Sequence, residues 1–334
     1  MAEEVWMLQT KKADFKQIGA RFRIDPVTAR IIRNRGIEGE AAIDRYLNGT
    51  LDDLYDPMLL KDMERAVSIL CEAVDTGKKI RIVGDYDIDG VCSTYILLQA
   101  FERLGSDVDF EIPDRIKDGY GINESIIEQA HADGVEVILT CDNGISAFHQ
   151  VELAKKYGMT VVITDHHEVP LDGEKEKIPP ADAVIDPKQA DCPYPFPEIC
   201  GAVVAYKLVQ VLYARRGVPQ MEWLDLLEFA AIATVGDVMK LQDENRILVK
   251  YGLKKMAQTK NLGLRRLAEK NNLDLGAITA YHIGFVIGPC LNAGGRLKTA
   301  KEALALLRAQ SEEEAERLAE ELKELNDTRK DMTE

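Results

Sequence analysis

Three stretches of this sequence carry side chains able to hold divalent cations. In Asp85-Tyr86-Asp87-Ile88-Asp89-Gly90 three carboxylates alternate before a glycine that permits a tight turn into a helix. Hard divalent cations need oxygen ligands, and this spacing supplies several at once. Asp142 stands in CDNGIS, and Asp165-His166-His167 in ITDHHEVP. A lone loop histidine is usually structural, whereas two in succession beside an aspartate point to metal. Carboxylates with imidazole suit Mn²⁺ or Mg²⁺ better than structural zinc, which favours thiolates. D-x-D-x-D-G also occurs in calcium loops, but an EF-hand needs flanking helices and a glutamate as twelfth ligand, and the twelfth position from Asp85 is Ile96. Asp237, in ATVGDVMKL after an apolar helical run, reads by itself as a helix-end residue. There is no Walker-type phosphate loop and no G-x-S-x-G elbow, so NTPase and serine esterase readings have no motif to rest on.

The elements around these residues follow from periodicity. From Lys79 the chain alternates β-rich runs with amphipathic helical segments, the signature of βαβ units and a parallel sheet covered on both faces. The runs are 79–85, 108–114, 135–142, 159–165 and 181–186, and every one ends in aspartate. Between them STYILLQAFERLG, NESIIEQAHADG and FHQVELAKKYG place apolar residues at helical steps and close on glycine. Ligands of an open α/β sheet bind beyond the carboxyl ends of its strands, so the terminal aspartates are expected to converge on one edge. Asp114 and Asp186, the latter before Pro187, are read as turn formers or helix N-caps.

The fold class expected is α/β: a helical N-terminal segment over 1–75, a parallel-sheet domain with flanking helices over 76–300, and a long C-terminal connector helix over 301–334. Residues 1–75 show helical spacing in PVTARIIRNRG, EAAIDRYL and MERAVSILCEAV. Their arginines at 21, 23, 30, 33 and 35 form either a basic face or, the better-favoured reading, a solvated helix surface. GAVVAYKLVQVLYARRG and WLDLLEFAAIATVGD are apolar nearly all round and should be buried. The last helix opens with Ser311 and Glu314 in capping-box spacing and carries Ala315, Leu318, Leu322 and Leu325 on one stripe. It either connects to a further domain or docks on its own.

With 334 residues, 46% hydrophobic and 30% charged, the chain can bury a sizeable core and should fold. No apolar stretch approaches the ~20 residues that cross a bilayer, and the N-terminus lacks a basic-then-apolar leader, so the expectation is cytoplasmic, with no membrane partner. Six cysteines without a C-x-x-C pair point to buried reduced thiols. A net charge of −15 argues at first against a nucleic-acid partner. Bound cations would neutralise the clustered carboxylates, however, and much of the acid lies in SEEEAERLAEELKEL.

The motifs VGDYDIDGVCST, PDRIKDGYGI, TCDNGIS, TDHH, CGAVVAYKL, GDVMKLQDENR and GPCLNAGGRL occur in order over roughly 220 residues. In this the sequence resembles the DHH phosphoesterase family, and within it the single-stranded-DNA-specific exonucleases. The resemblance implies two Mn²⁺ ions, with Mg²⁺ as the substitute. Asp85 and Asp87 would hold the first, Asp89, His166 and Asp237 the second, with Asp142 between them. It further implies that Asp165 orients a histidine and that His167 faces the scissile phosphate or leaving group. Arg115 and Arg296 would hold the backbone and 5′-phosphate of single-stranded DNA, as a guanidinium fork suits. Without the family, Arg115 reads equally as an exposed loop residue and Gly294-Gly295 as a turn. The chemistry implied is 5′-to-3′ hydrolysis of phosphodiester bonds in DNA repair and recombination, beside single-strand-binding or helicase partners.

Family members commonly have proline where Lys240 stands, arginine where Cys290 stands and alanine where Gly294 stands; none is an expected ligand. They also continue into a second catalytic-lobe domain, DHHA1, and an OB-type nucleic-acid-binding domain, so residues 1–334 are expected to correspond to the N-terminal catalytic part. Relatives that hydrolyse pyrophosphate, cyclic dinucleotides or short oligonucleotides share the metal site and form the alternative reading. A scaffold that has lost its ligands is a third, against which retention of every expected ligand counts.

Overall fold

The computed structural model describes Met7 and residues 11–115 and 119–332. Residues 116–118, inside PDRIKDGYGI, lie outside the described residues. The first segment forms α1 (Phe15–Phe22), α2 (Pro26–Asn34), α3 (Glu40–Asn48) and α4 (Met63–Thr76), with 3₁₀ turns Leu51–Asp53 and Pro57–Leu59. Asp14 and Asp25 cap the first two helices by accepting backbone N–H groups of the first turn. Arg21 pairs with Glu40 and Arg33 with Glu38, while Arg30 lies over the Phe15 ring, so part of the arginine face is spent within the segment.

Five parallel strands follow: β1 (Ile80–Val83), β2 (Val108–Glu111), β3 (Val137–Cys141), β4 (Thr160–Thr164) and β7 (Ala183–Ile185), in spatial order β2-β1-β3-β4-β7. A two-stranded hairpin of β5 (Leu171–Asp172) and β6 (Lys175–Glu176), which periodicity does not reveal, stands apart from the sheet. The strands are shorter than the apolar runs. Asp142, Asp165 and Asp186 lie one residue past a strand end, Asp85 two and Asp114 three, so the aspartates occupy the loops that leave the sheet. The connecting helices are α5 (Ile88–Arg103), α6 (Glu124–Ala132) and α7 (Phe148–Lys156). Each is followed by a glycine at positive φ (Gly105, Gly134, Gly158), the left-handed residue that ends a helix.

Helices cover both faces. Ile126, Ile127, Ala130, Val151 and Ala154 from α6 and α7 pack with Val83, Ile138, Val161 and Ile163 on one side. On the other, α4, α5 and α8 (Gly201–Arg215) cover Ile80, Ile82, Val137, Leu139 and Val162. There follow α9 (Gln220–Leu224), α10 (Leu227–Gly236), α11 (Asp243–Met256) and α12 (Leu262–Lys270). Next come α13 (Ala280–His282), a π turn (Ile283–Ile287), α14 (Gly288–Leu297), α15 (Lys301–Arg308) and α16 (Glu312–Asp331). α8 and α10 are buried nearly all round, as their composition requires. In α16 the Ser311 hydroxyl accepts from Glu314 N (3.1 Å), but the Glu314 carboxylate takes Gln310 N, not the N–H of Ser311 that a capping box requires. Ala315, Leu318 and Leu322 are buried against α12, α14 and α15, so this stripe docks on its own domain. Four of the six cysteines are buried, Cys71 and Cys192 are half-buried, and all are free.

Candidate metal centre

The sheet turns its carboxyl edge toward one cluster. Asp87 leaves β1 as the N-cap of α5: one carboxylate oxygen accepts from Asp89 N (2.9 Å) and Gly90 N (3.1 Å). Gly90 is required there, because a Cβ would stand 2.4 Å from the Asp85 carbonyl oxygen. In the first turn of α5, Asp89 is fully buried, and its two oxygens accept from Gly201 N and Ala202 N, each at 2.7 Å. The N-terminus of the long helix α8 thus aims its dipole at this carboxylate. Asp85 accepts from Gly121 N (3.2 Å), while its other oxygen is buried without a partner.

Asp142 follows β3 in the left-handed region (φ 60°), uncommon for a residue with a side chain. Its Oδ1 lies 3.0 Å from His166 Nε2. The same nitrogen lies 3.4 Å from Asp89 and 3.9 Å from Asp237, which caps the C-terminal end of α10. Three overlapping triads result: Asp85, Asp87 and Asp142; Asp89, His166 and Asp237; Asp142, His166 and His167. Within each, one donor atom per residue lies within 4.8 Å of the others. The structure therefore brings together all six residues expected to hold metal.

Asp165 serves the histidines. Its Oδ1 accepts from His167 Nδ1 (2.7 Å), His166 N (2.7 Å) and His167 N (3.2 Å), and its Oδ2 accepts from Ile145 N (2.8 Å). Arg115 and Arg296, both exposed, share a cleft of ≈ 270 Å³ with Tyr86, Asp87, Gly236, Asn292 and Gly295, so it opens on the Asp87 side of the cluster. The Arg115 guanidinium stands 5.4 Å from the Tyr86 ring centre.

The electrostatics are those of a cluster without its counter-charge. Burial, then repulsion from Asp87, lifts Asp85 to about 7; burial, then repulsion from Asp89, lifts Asp237 to about 7 and raises Asp87. Asp142 is pushed well above the usual carboxylate range by burial and by Asp89. Burial lowers His166, against the pull of Asp89. His167 is also lowered by burial, but its bond to Asp165 more than reverses this and carries it to about 8. Among the described residues, the only ion pairs reaching Asp89, Asp142, Asp165 and Asp237 come from these two imidazoles. The orphaned buried oxygen of Asp85, in a carboxylate cluster with no lysine or arginine partner among the described residues, fits divalent cations as the balancing charge.

Sequence reasoning missed three contributors. Tyr120 donates its hydroxyl to the Asp142 carbonyl (2.7 Å). Asn143 ties the sheet edge together: its Nδ2 donates to the carbonyls of Val83 and Cys141, and its Oδ1 accepts from Ile122 N. Both stand beside glycine, where the visible signal is only a turn. Asp186 forms the expected turn by accepting from Lys188 N (2.8 Å), but it is also fully buried with one oxygen unpartnered, and burial, then repulsion from Asp165, lifts it to about 7.

Residues 79–234 match the model of the DHH family, N-terminal domain. The single-stranded-DNA-specific exonuclease RecJ of Bacillus subtilis is 38% identical over 328 residues, covering 98% of this chain and 40% of that protein. RecJ of Escherichia coli is 36% identical over 320 residues, covering 92% of this chain and 54% of its own length. This chain thus spans about half the length, or less, of these curated relatives. Among solved structures, exonuclease RecJ bound to manganese superposes with a TM-score of 0.72 at 35% identity, covering 81% of this chain and 67% of that one. RecJ of Thermus thermophilus in complex with Mn²⁺ gives 0.78 at 32% identity, covering 95% and 44%. From its motifs, its parallel sheet and these likenesses together, the chain belongs to the DHH phosphoesterase family, in the branch of the RecJ proteins.

Proposed function

We propose that this chain is the catalytic part of a divalent-metal phosphodiester hydrolase that removes nucleotides from the 5′ end of single-stranded DNA in repair and recombination. The observation that carries the reading is the set of three overlapping donor triads, built on the buried Asp85, Asp89, Asp142 and His166 and without lysine or arginine partners among the described residues. Asp85, Asp87 and Asp142 would hold one cation, and Asp89, His166 and Asp237 a second with Asp142 shared, Mn²⁺ or Mg²⁺ in each case. The RecJ structures that superpose on this chain were obtained with those ions. When bound, such a pair of cations activates water and neutralises charge on the attacked phosphate and leaving oxygen.

The protein's own groups do the rest. Asp165 accepts a hydrogen bond from Nδ1 of His167, which fixes the ring and leaves Nε2 to face the substrate. Held by that bond, the imidazole is placed to present a proton at Nε2 to the departing oxygen. Arg115 and Arg296 offer two guanidinium forks in the cleft beside Asp87, suited to the 5′-phosphate and the next backbone phosphate. No described helix is long and apolar enough to cross a membrane. Partners in a repair assembly would be single-strand-binding protein or a helicase.

The test is a panel of labelled substrates (5′-phosphorylated single strands, duplexes, dinucleotides and pyrophosphate) digested with Mn²⁺, Mg²⁺ or chelator. Release of mononucleotides from single strands with Mn²⁺, lost in Asp142→Ala and His166→Ala, is the expected result. Faster turnover of dinucleotides or pyrophosphate than of long strands would move the assignment to the small-substrate relatives.

A further inference from the structure

Tyr120 touches the site at two points and has no part in the mechanism above. Its hydroxyl donates to the main-chain carbonyl of Asp142, the residue shared by the proposed cations. That carbonyl belongs to a backbone held at φ 60°, whose N–H is fixed by Thr164 O at 3.1 Å. The same phenolic oxygen lies 3.1 Å from Nδ1 and 3.2 Å from Nε2 of His167, with the two rings at 75°. Because the hydroxyl proton is given to Asp142, the lone pairs of the oxygen are what face the imidazole. Nearly equidistant from both ring nitrogens, the oxygen stands over the imidazole face and not in line with an N–H, so Nδ1 stays with Asp165 at 2.7 Å, Nε2 stays open, and Tyr120 buttresses the ring from one side.

The ring of Tyr120 has its own neighbours. Tyr86 meets it edge-on at 6.3 Å, and Arg115 stands over Tyr86. Tyr120 is 51% exposed, too open for core packing to account for it.

We infer that Tyr120 is a positioning residue whose hydroxyl ties the left-handed backbone of Asp142 to the imidazole of His167, so that His167 meets the substrate in a single orientation. The inference rests on the proposed hydrolysis and acts through His167. It separates the hydroxyl, which makes both polar contacts, from the ring, which makes the aromatic ones. Tyr120→Phe removes the first and keeps the second.

The experiment uses the full chain in three forms: wild type, Tyr120→Phe and Tyr120→Ala. Digestion of 5′-phosphorylated single-stranded DNA with Mn²⁺ is combined with ¹⁵N spectra of the histidine side chains at one fixed pH. The chain has five histidines, so the His167 signals can be assigned by their loss in His167→Ala. For Tyr120→Phe we expect kcat to fall about tenfold with KM changed less than about twofold. We also expect altered Nδ1 and Nε2 signals of His167 in the metal-free protein. Placed in the His167→Ala background, Tyr120→Phe should cost almost nothing further, since its effect passes through that ring. Unchanged kcat in Tyr120→Phe, or a full tenfold loss added to that of His167→Ala, overturns the inference. If wild type itself leaves single strands intact, it is the proposed activity that fails. The imidazole spectra then decide Tyr120 alone, unchanged signals overturning its role.

Discussion

At the centre, α8 fits against Asp142 with no room for one methyl group. Gly201 opens α8, and a Cβ built on it would stand 2.7 Å from Asp142 Cβ, 2.9 Å from its Cα and 3.0 Å from Oδ1. Ordinary van der Waals contact begins near 3.4 Å, so Gly201→Ala must displace Asp142 or α8 by about 0.7 Å. Asp142 has little freedom to retreat, because its N–H is bound to Thr164 O and its carbonyl to Tyr120. If α8 yields instead, the bonds from Gly201 N and Ala202 N to Asp89 lengthen from 2.7 Å. Either movement disturbs a proposed ligand. Overpacking of this kind costs ~1 to 3 kcal/mol of stability, and a misplacement approaching 1 Å costs ~100-fold in rate. Mn²⁺ titration followed by paramagnetic resonance, urea unfolding and single-strand digestion read the three effects. The expected result is a folded protein with Mn²⁺ affinity reduced at least about tenfold and kcat about 100-fold lower. Gly284→Ala is the control, since its added Cβ would meet only Val235 Cγ1, at 3.6 Å. A folded Gly201→Ala with wild-type Mn²⁺ affinity and rate would refute the claim.

Arg296→Ala and Arg115→Ala should each raise KM for 5′-phosphorylated single strands by roughly 10- to 100-fold, the worth of a charge-assisted bond, with a smaller effect on strands lacking that phosphate. Equal effects on both substrates in steady-state assays would remove the arginines from phosphate binding. Mn²⁺ at ~100 times its dissociation constant should stabilise the wild-type fold by ~2.7 kcal/mol in urea titrations, and Asp142→Ala should abolish most of that gain. Away from the site, burial lifts Glu228 to about 7, although Thr259 donates to its Oε1 at 2.6 Å. A raised folded pKa gives stability that is present below the unfolded value near 4.5 and lost as pH rises through 7. Glu228→Gln, which resembles the protonated acid, should therefore unfold at higher urea than wild type at pH 8, by up to ~3 kcal/mol, and nearly match it at pH 4.5. An offset that does not change with pH would show that Glu228 is not the titrating group.

The parts of the fold that depend on local periodicity were legible. Five apolar runs became the five strands of the parallel sheet, and the three glycine-closed segments became α5, α6 and α7. Boundaries were less so: the runs overshot the strands by one to three residues, because an aspartate leaving a sheet continues the extended pattern after ladder pairing has stopped. α5 starts at Ile88, ahead of STYILLQAFERLG, because Asp87 caps it, a role that alternating carboxylates do not announce. All the candidate ligands but Asp237 stood out because carboxylates and paired imidazoles at the ends of buried strands have few other uses; Asp237, at a helix end, came only from the family resemblance. Tyr120, Asn143 and Gly201 did not stand out. What they contribute passes through backbone carbonyls or close approach, to which residue type gives almost no clue.

Concentrating so many carboxylates at one sheet edge poses a folding problem, and the way it is met bears on function. Asp85, Asp87, Asp89, Asp165 and Asp186 each accept at least one backbone N–H: from Gly121, from Asp89 and Gly90, from Gly201 and Ala202, from Ile145 and the two histidines, and from Lys188. Backbone donors orient a carboxylate and lower its cost of burial without adding a unit of positive charge. A lysine or arginine in the same place would hold the fold as well but would cancel the field and compete with cations for the same oxygens. Asp142 and Asp237 have no such backbone donor among the described contacts, and both lie within 4 Å of His166. The cluster is therefore held from behind by peptide dipoles and left uncompensated in front. That asymmetry suits a site whose stability at neutral pH is completed by ions from solution, and it ties the chemistry proposed for the chain to the same groups that shape its sheet edge.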